Sequence, residues 1–197
     1  MTVTCLLPAA GASSRMRGGD KLLELVHGAP CLRVMVERVR EAGMSAIVTV
    51  PALTHPRALA LKETDAHLLD VADASEGMAA SLRAGALAVT HDATGLMVLP
   101  PDMPAIETED LALLIAAFED NPMQITQATT SDGIAGHPVV FPKHMLGAFA
   151  QLSGDHGAAM ILRAHKDDII HVALKDNRAR LDLDTPEAWN AWRASHL

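Results

Sequence analysis

Short apolar runs alternate with amphipathic stretches from one end of the 197-residue chain to the other. The apolar runs Val3–Leu7, Ala46–Val50, His67–Val71, Gly95–Leu99, Ile125–Ala128, His137–Phe141 and Ile169–Val172 have the length and flanks of buried strands. Between them Leu32–Ala42, Arg57–Glu63, Gly77–Val89, Glu109–Glu119, Lys143–Gln151 and Ala158–Ala164 carry apolar residues three or four apart, as in Leu111, Leu114 and Phe118. Thr108 before Glu109-Asp110 predicts a helix cap, and Thr185-Pro186-Glu187 predicts another with proline at the first helical position. Regular alternation of this kind predicts a single domain over residues 1–197, an α/β/α sandwich with a mostly parallel sheet. In such sheets ligands gather at the carboxyl ends of the strands. The Thr130–Gly136 stretch, rich in turn residues, is expected to be a flexible loop.

Composition narrows the partners. Apolar residues make up 49% and charged ones 20%, ordinary values for a globular chain, and the formal net charge is −8. That charge argues against nucleic acid and anionic membranes, which select basic surfaces. Any phosphate site must therefore create its own positive charge. Cys5 and Cys31 form no Cys-x-x-Cys pair and read as small buried residues in a reducing compartment. The opening apolar run is too short for a signal-peptide core, and no run has the length of a membrane span, so a cytoplasmic location is expected.

The first loop has the chemistry of a phosphate site. Leu6-Leu7-Pro8-Ala9-Ala10-Gly11-Ala12-Ser13-Ser14-Arg15-Met16 runs from a strand into small residues, and Arg15 and Lys21 follow. Small side chains let the backbone approach a ligand and direct amides at it, and the two cations suit a triphosphate. Walker A is excluded because Asp20 precedes Lys21 and Leu22 follows it. The dinucleotide fingerprint is excluded because Gly11 stands alone until Gly18. Taken alone, the loop equally suits a plain strand-to-helix turn with two solvated cations.

Three further segments carry candidate chemistry. Pro100-Pro101-Asp102-Met103-Pro104 ends an apolar run and holds Asp102 stiffly, a presentation that suits Mg²⁺; a turn or cap role is the alternative. In Arg180-Leu181-Asp182-Leu183-Asp184-Thr185 the alternation puts Asp182 and Asp184 on one face, where they repel unless a cation compensates them. By itself this is also a solvated edge strand. Glu76-Gly77-Met78-Ala79-Ala80-Ser81 reads as the start of an Ala-rich helix, and His137 as a half-buried strand histidine. Zinc and serine-nucleophile chemistry lack their motifs: there is no His-Glu-x-x-His, no paired cysteines and no Gly-x-Ser-x-Gly.

In this order the segments resemble the nucleotidyltransferases that activate the molybdenum cofactor. The first loop matches L-x-A-(A/G)-G-x-S-x-R-M-G-x-x-K, with Arg17 where glycine usually stands. Asp102-Met103-Pro104 matches D-x-P, Gly77–Gly85 matches G-M-x-x-S-L-x-x-G, Gly136–Phe141 matches G-H-P-V-x-F, and Asp182–Glu187 matches D-x-D-T-P-E. Ser153–Ala158 matches a family loop to which no chemical role is given. The resemblance implies a Rossmann-like, nucleotide-diphospho-sugar transferase type of sheet. It also implies transfer of a nucleoside monophosphate from an NTP to the terminal phosphate of molybdopterin, with release of pyrophosphate. Ala9, Ala10, Gly11, Ala12, Ser13 and Ser14 would cradle the triphosphate, Arg15 and Lys21 would neutralise it, and Gly77 and Ser81 would meet base and sugar. Asp102 and Asp184 would hold Mg²⁺ (or Mn²⁺), and His137 and Asp182 would face the acceptor. Ala9-Ala10-Gly11 favours CTP as donor, while Gly18-Gly19-Asp20-Lys21 is similar to the GTP-using branch. A client molybdoenzyme or its chaperone would be the protein partner. The rivals are a same-fold enzyme acting on a sugar or methylerythritol phosphate, a non-catalytic cofactor carrier, and a dinucleotide-binding module.

Overall fold

The computed structural model describes residues 2–71, 76–154 and 157–196. Asp155 and His156 of the Ser153–Ala158 loop lie outside the described residues. All seven expected strands form one sheet: β1 (Val3–Pro8), β4 (Ser45–Val50), β5 (His67–Asp70), β6 (Gly95–Val98), β7 (Ile125–Thr129), β8 (Ala135–Pro142) and β9 (Ile169–Ala173). Their spatial order is β5-β4-β1-β6-β8-β7-β9. Every pair is parallel except those of β8, which runs antiparallel to both β6 and β7. The sheet is thus mostly parallel, as expected. A hairpin of β2 (Leu25–Val26) and β3 (Ala29–Pro30) stands apart from it.

Alternation along the central strands builds two cores, one on each face. On β1, Val3, Cys5 and Leu7 enter the core shared with α1 (Cys31–Glu41), α4 (Thr108–Asp120) and α6 (Pro186–His196). Leu6 points the other way, towards α3 (Met78–Leu87), the 3₁₀ segment Lys143–Gln151 and α5 (Ala159–Ala164). Gly85 lets α3 press on β1, since a Cβ there would lie 2.3 Å from a Leu6 methyl. The short α2 spans Pro56–Leu59. Both thiols are buried, and burial pushes their pKa values up, so they are core residues. Among the described residues no helix is long and apolar enough to cross a membrane.

Two local expectations are corrected. The cap of α4 is Glu107 rather than Thr108: Glu107 and Asp110 form a reciprocal capping box, and the Thr108 hydroxyl instead donates to Glu41 at 3.0 Å. The Thr130–Gly136 stretch is a tight hairpin rather than a loose loop. Thr130 is buried, its amide donates to the Ile134 carbonyl at 2.9 Å, and its hydroxyl accepts from the Ile134 amide at 3.0 Å. The reason is the antiparallel step from β7 to β8, which needs only a short connection. At the other end of the chain the Thr185 cap holds, accepting from the Ala188 amide at 3.2 Å.

Candidate active site

A cleft of about 820 Å³ opens where the ends of β1 and β6 meet the start of β8. The antiparallel direction of β8 matters here, because it brings the start of that strand to the edge where its parallel neighbours end. Ala9, Gly11, Ala12, Arg15, Lys21, Gly77, Ser81, Asp102, His137, Asp182 and Asp184 all line this cleft. Ala10, Ser13 and Ser14 do not. Ala10 packs against Val71 and Ala80, the Ser13 hydroxyl turns away to donate to Asp20 at 3.2 Å, and Ser14 is exposed on a 3₁₀ turn.

The first loop follows from its small residues. The Ala9 amide extends the sheet to the Thr49 carbonyl at 2.9 Å, and among the described residues nothing accepts from the amides of Ala10, Gly11 and Ala12. Buried Met16 pins the turn that carries Arg15. Arg17, which stands where the resembled motif carries glycine, has φ 52°, the left-handed region that glycine adopts freely.

Behind the loop sits a residue the sequence did not single out. Arg57 is 3% exposed, and its guanidinium grips Asp20 with Nε to Oδ2 at 2.7 Å and Nη2 to Oδ1 at 2.9 Å. Nη1 also donates to the carbonyls of Ala9 at 2.6 Å and Gly11 at 2.7 Å, and Nη2 to the Ser13 hydroxyl at 2.9 Å. Both loop carbonyls are thereby drawn to the back. The sequence signal for this clamp is Asp20, an acid beside the phosphate-site lysine that needs a buried partner.

The acidic side comes from two chain segments stitched together. The Leu183 amide donates to the Asp102 carbonyl at 2.9 Å, so the end of β6 and the C-terminal segment move as one. Arg38, also buried, supports the segment beyond Asp102 by donating to the carbonyls of Pro104 at 2.7 Å and Ile106 at 2.8 Å. One carboxylate oxygen from each of Asp102, Asp182 and Asp184 lies within 4.8 Å of the others. Between two of them is Lys21, whose Nζ is 2.5 Å from Asp102 Oδ2 and 2.6 Å from Asp184 Oδ1. Arg15 adds a contact of 2.7 Å to the other Asp184 oxygen.

Electrostatics follow from this packing. Burial works to lower the Lys21 pKa, but Asp102 and then Asp184 outweigh it, and the net shift is upward. Burial likewise opposes ionisation of Asp184, yet Lys21 holds its carboxyl below the usual range. Asp182 shifts the other way, raised by burial and by its hydrogen bond to Asp184. The carboxyls of this pair therefore differ in role: Asp184 stays ionised and Asp182 is the one that more readily holds a proton. Burial lowers the His137 pKa, so its ring is neutral at pH 7, and its Nδ1 is buried without a partner among the described residues.

The three carboxylates fit a divalent metal. Hard divalent cations take oxygen ligands, and the Lys21 ammonium demonstrates that the cluster is built around positive charge.

Comparison with known proteins gives the same picture. The family model of the MobA-like NTP transferase domain matches residues 5–169. Rv0371c from Mycobacterium tuberculosis H37Rv is 25% identical with a TM-score of 0.82, over 98% of this chain and 97% of that one. Its complex with manganese gives 24% identity and a TM-score of 0.80, over 99% of this chain and 100% of that one. A CMP:2-keto-3-deoxy-manno-octonic acid synthetase bound to CTP shares the fold, with a TM-score of 0.77 at 16% identity over 99% of this chain and 98% of that one. No curated protein gives a significant sequence match.

Proposed function

The chain belongs to the MobA-like NTP transferase family, and from that premise we propose that it transfers a nucleotidyl group, with CTP the favoured donor, to the terminal phosphate of molybdopterin. The observation that carries this reading is one shared edge of the sheet. There the first loop, with free amides and two cations, meets a three-carboxylate cluster in a cleft of about 820 Å³.

The chemistry asks for positioning and charge rather than a protein nucleophile. An oxygen of the acceptor phosphate attacks the α-phosphorus of the NTP. The bond from that phosphorus to the bridging oxygen breaks, and pyrophosphate carries the electron pair away. The amides of Gly11 and Ala12 orient the triphosphate, with Ala10 shaping the loop behind them, and Arg15 and Lys21 neutralise it as charge shifts to the leaving group. Gly77 and Ser81, at the start of α3, face the sugar and base; Ser13 and Ser14 act through the shape of the loop. Asp102 and Asp184, with Asp182 beside them, would hold Mg²⁺ or Mn²⁺, which when bound neutralises phosphate charge. His137 and Asp182 face the acceptor, His137 as a neutral hydrogen-bonding group. A molybdoenzyme or its chaperone would take the dinucleotide product.

Pyrophosphate release measured with each of the four NTPs, with and without molybdopterin, tests the proposal. Release that needs molybdopterin and is fastest with CTP is expected. Release only with a sugar phosphate or methylerythritol phosphate would move the protein to another acceptor, and tight pterin binding with no release at all would make it a carrier.

A further inference from the structure

Two phosphorylated molecules must meet in this cleft, and its cations are unevenly committed. Those lining it are Arg15, Lys21 and Arg180. Lys21 and Arg15 are bound to Asp102 and Asp184, on the side where the first loop would take the NTP. Arg180 has no carboxylate partner among the described residues. Its guanidinium donates only to the backbone carbonyl of Ala135, at 3.1 Å, and the side chain is exposed to the cleft.

Its place in the fold is fixed by the strand order. The first loop leaves β1, Asp102 follows β6, and Arg180 lies against the start of β8, one strand further on. Neighbouring strands are about 4.8 Å apart, so Arg180 serves a region roughly 10 Å across the sheet from the first loop.

The turn that carries Arg180, Arg178–Arg180, is held unusually firmly for a surface segment. Gly136 has no side chain where a Cβ would sit 2.0 Å from the Ala179 carbonyl oxygen and 3.0 Å from Arg180 Cγ. Ala179 is buried, and Arg178 is tied to Asp110 at 2.8 Å. A glycine on β8, a buried alanine and an ion pair to α4 together keep one arginine on the cleft wall. Of the neighbouring groups, His137 is neutral, and Lys21 and Arg15 are committed to Asp102 and Asp184.

We propose that Arg180 is the cation that receives the acceptor's phosphomonoester, so that this wall of the cleft selects acceptors carrying a phosphate. The inference rests on the nucleotidyl-transfer reading, because it needs the first loop to be the NTP's place. A phosphate oxygen would find the Arg180 fork on one side and the neutral His137 on the other. The acceptor's negative charge is thereby given a partner outside the acidic cluster.

The test separates the two readings by loading the NTP first. Wild-type protein, Arg180→Gln and Arg180→Lys are each saturated with CTP and then titrated with inorganic phosphate, followed by calorimetry or phosphorus NMR. Saturable phosphate binding is expected in wild type. Arg180→Gln should weaken it roughly 10- to 100-fold, the usual effect of losing one charge-assisted contact, and Arg180→Lys should retain part of it. CTP affinity should be the same in all three. Phosphate binding that is absent in wild type, or equal in Arg180→Gln, would overturn the role of Arg180 and leave nucleotidyl transfer standing. Failure of every NTP to bind wild-type protein would instead bring down the nucleotidyl-transfer reading, and this inference with it.

Discussion

Replacing Arg57 by methionine should loosen the first loop and destabilise the fold together. The guanidinium makes five hydrogen bonds, to Asp20, the carbonyls of Ala9 and Gly11, and the Ser13 hydroxyl, and the side chain is almost wholly buried. Methionine fills similar volume, so the loss is mainly electrostatic. Removing one partner of a fully buried pair costs ~3–5 kcal/mol. The Asp20 side chain keeps 20% of its exposure and can be partly rehydrated, so the low end applies, about 3 kcal/mol. In a domain of this size that is a fall in Tm of roughly 6–12 °C. The pH dependence follows from Asp20, whose carboxyl Arg57 holds below the usual range despite the opposing effect of burial. A carboxyl whose folded pKa is depressed stabilises the fold above its unfolded pKa of about 3.9, and that stabilisation is lost as pH falls through the folded value. Urea unfolding of both proteins at pH 7 and pH 3 is the assay. The wild-type advantage should be full at pH 7 and shrink below about pH 4. Arg57→Lys, which keeps charge without the fork, should fall between the two. A variant within about 0.5 kcal/mol of wild type at pH 7, the spread of ordinary surface changes, would refute the clamp. So would a gap that does not narrow in acid.

The remaining predictions concern turnover. Lys21→Ala should keep the circular dichroism of wild type while losing roughly 10²–10³-fold in kcat, as when one preorganised electrostatic group is removed; near-normal turnover would contradict its role. The ratio of kcat/KM values for CTP and GTP with one acceptor should favour CTP, given Ala10 in the loop, and a preference for GTP would reassign the donor. Asp102→Asn and Asp184→Asn should each raise the Mg²⁺ concentration needed for half-maximal rate, with the double variant losing less than the sum. Fully additive losses would show that the two carboxylates do not share an ion.

Much of this architecture was legible because it depends on short-range pattern. Every strand of the main sheet is an apolar run, and every helix expected from spacing has a helical counterpart within a few residues, although Lys143–Gln151 is 3₁₀ and α2 stops at Leu59. What escaped depends on tertiary partners. The β2–β3 hairpin has strands too short for periodicity to register, and its turn relies on His27 and Gly28, both at positive φ. The antiparallel course of β8 leaves no mark on hydropathy, so the Thr130–Gly136 hairpin read as loose chain. Glu107 displaced Thr108 as cap because Asp110 could close the box from the third helical position. In the site, the residues named through the resemblance to the family's motifs mostly reach the cleft, Ala10, Ser13 and Ser14 excepted. Arg57 and Arg180 belong to none of those motifs. One announces itself only through its contact with a distant acid, the other only through its lack of one.

Lys21 has a single ammonium group, and two carboxylates share it. Bridging Asp102 and Asp184, it serves as the counterion of the acidic cluster, with two of its three N–H donors committed there. If nucleotide and metal bind as proposed, they do not fill an empty socket. The lysine would shift from the carboxylates towards phosphate, leaving Asp102 and Asp184 to hold the metal. A metal ion arriving alone competes with Lys21 and gives it nowhere to go, whereas one arriving with a nucleotide brings the lysine its next partner. Metal and NTP then strengthen each other's binding by the same factor, as linkage requires.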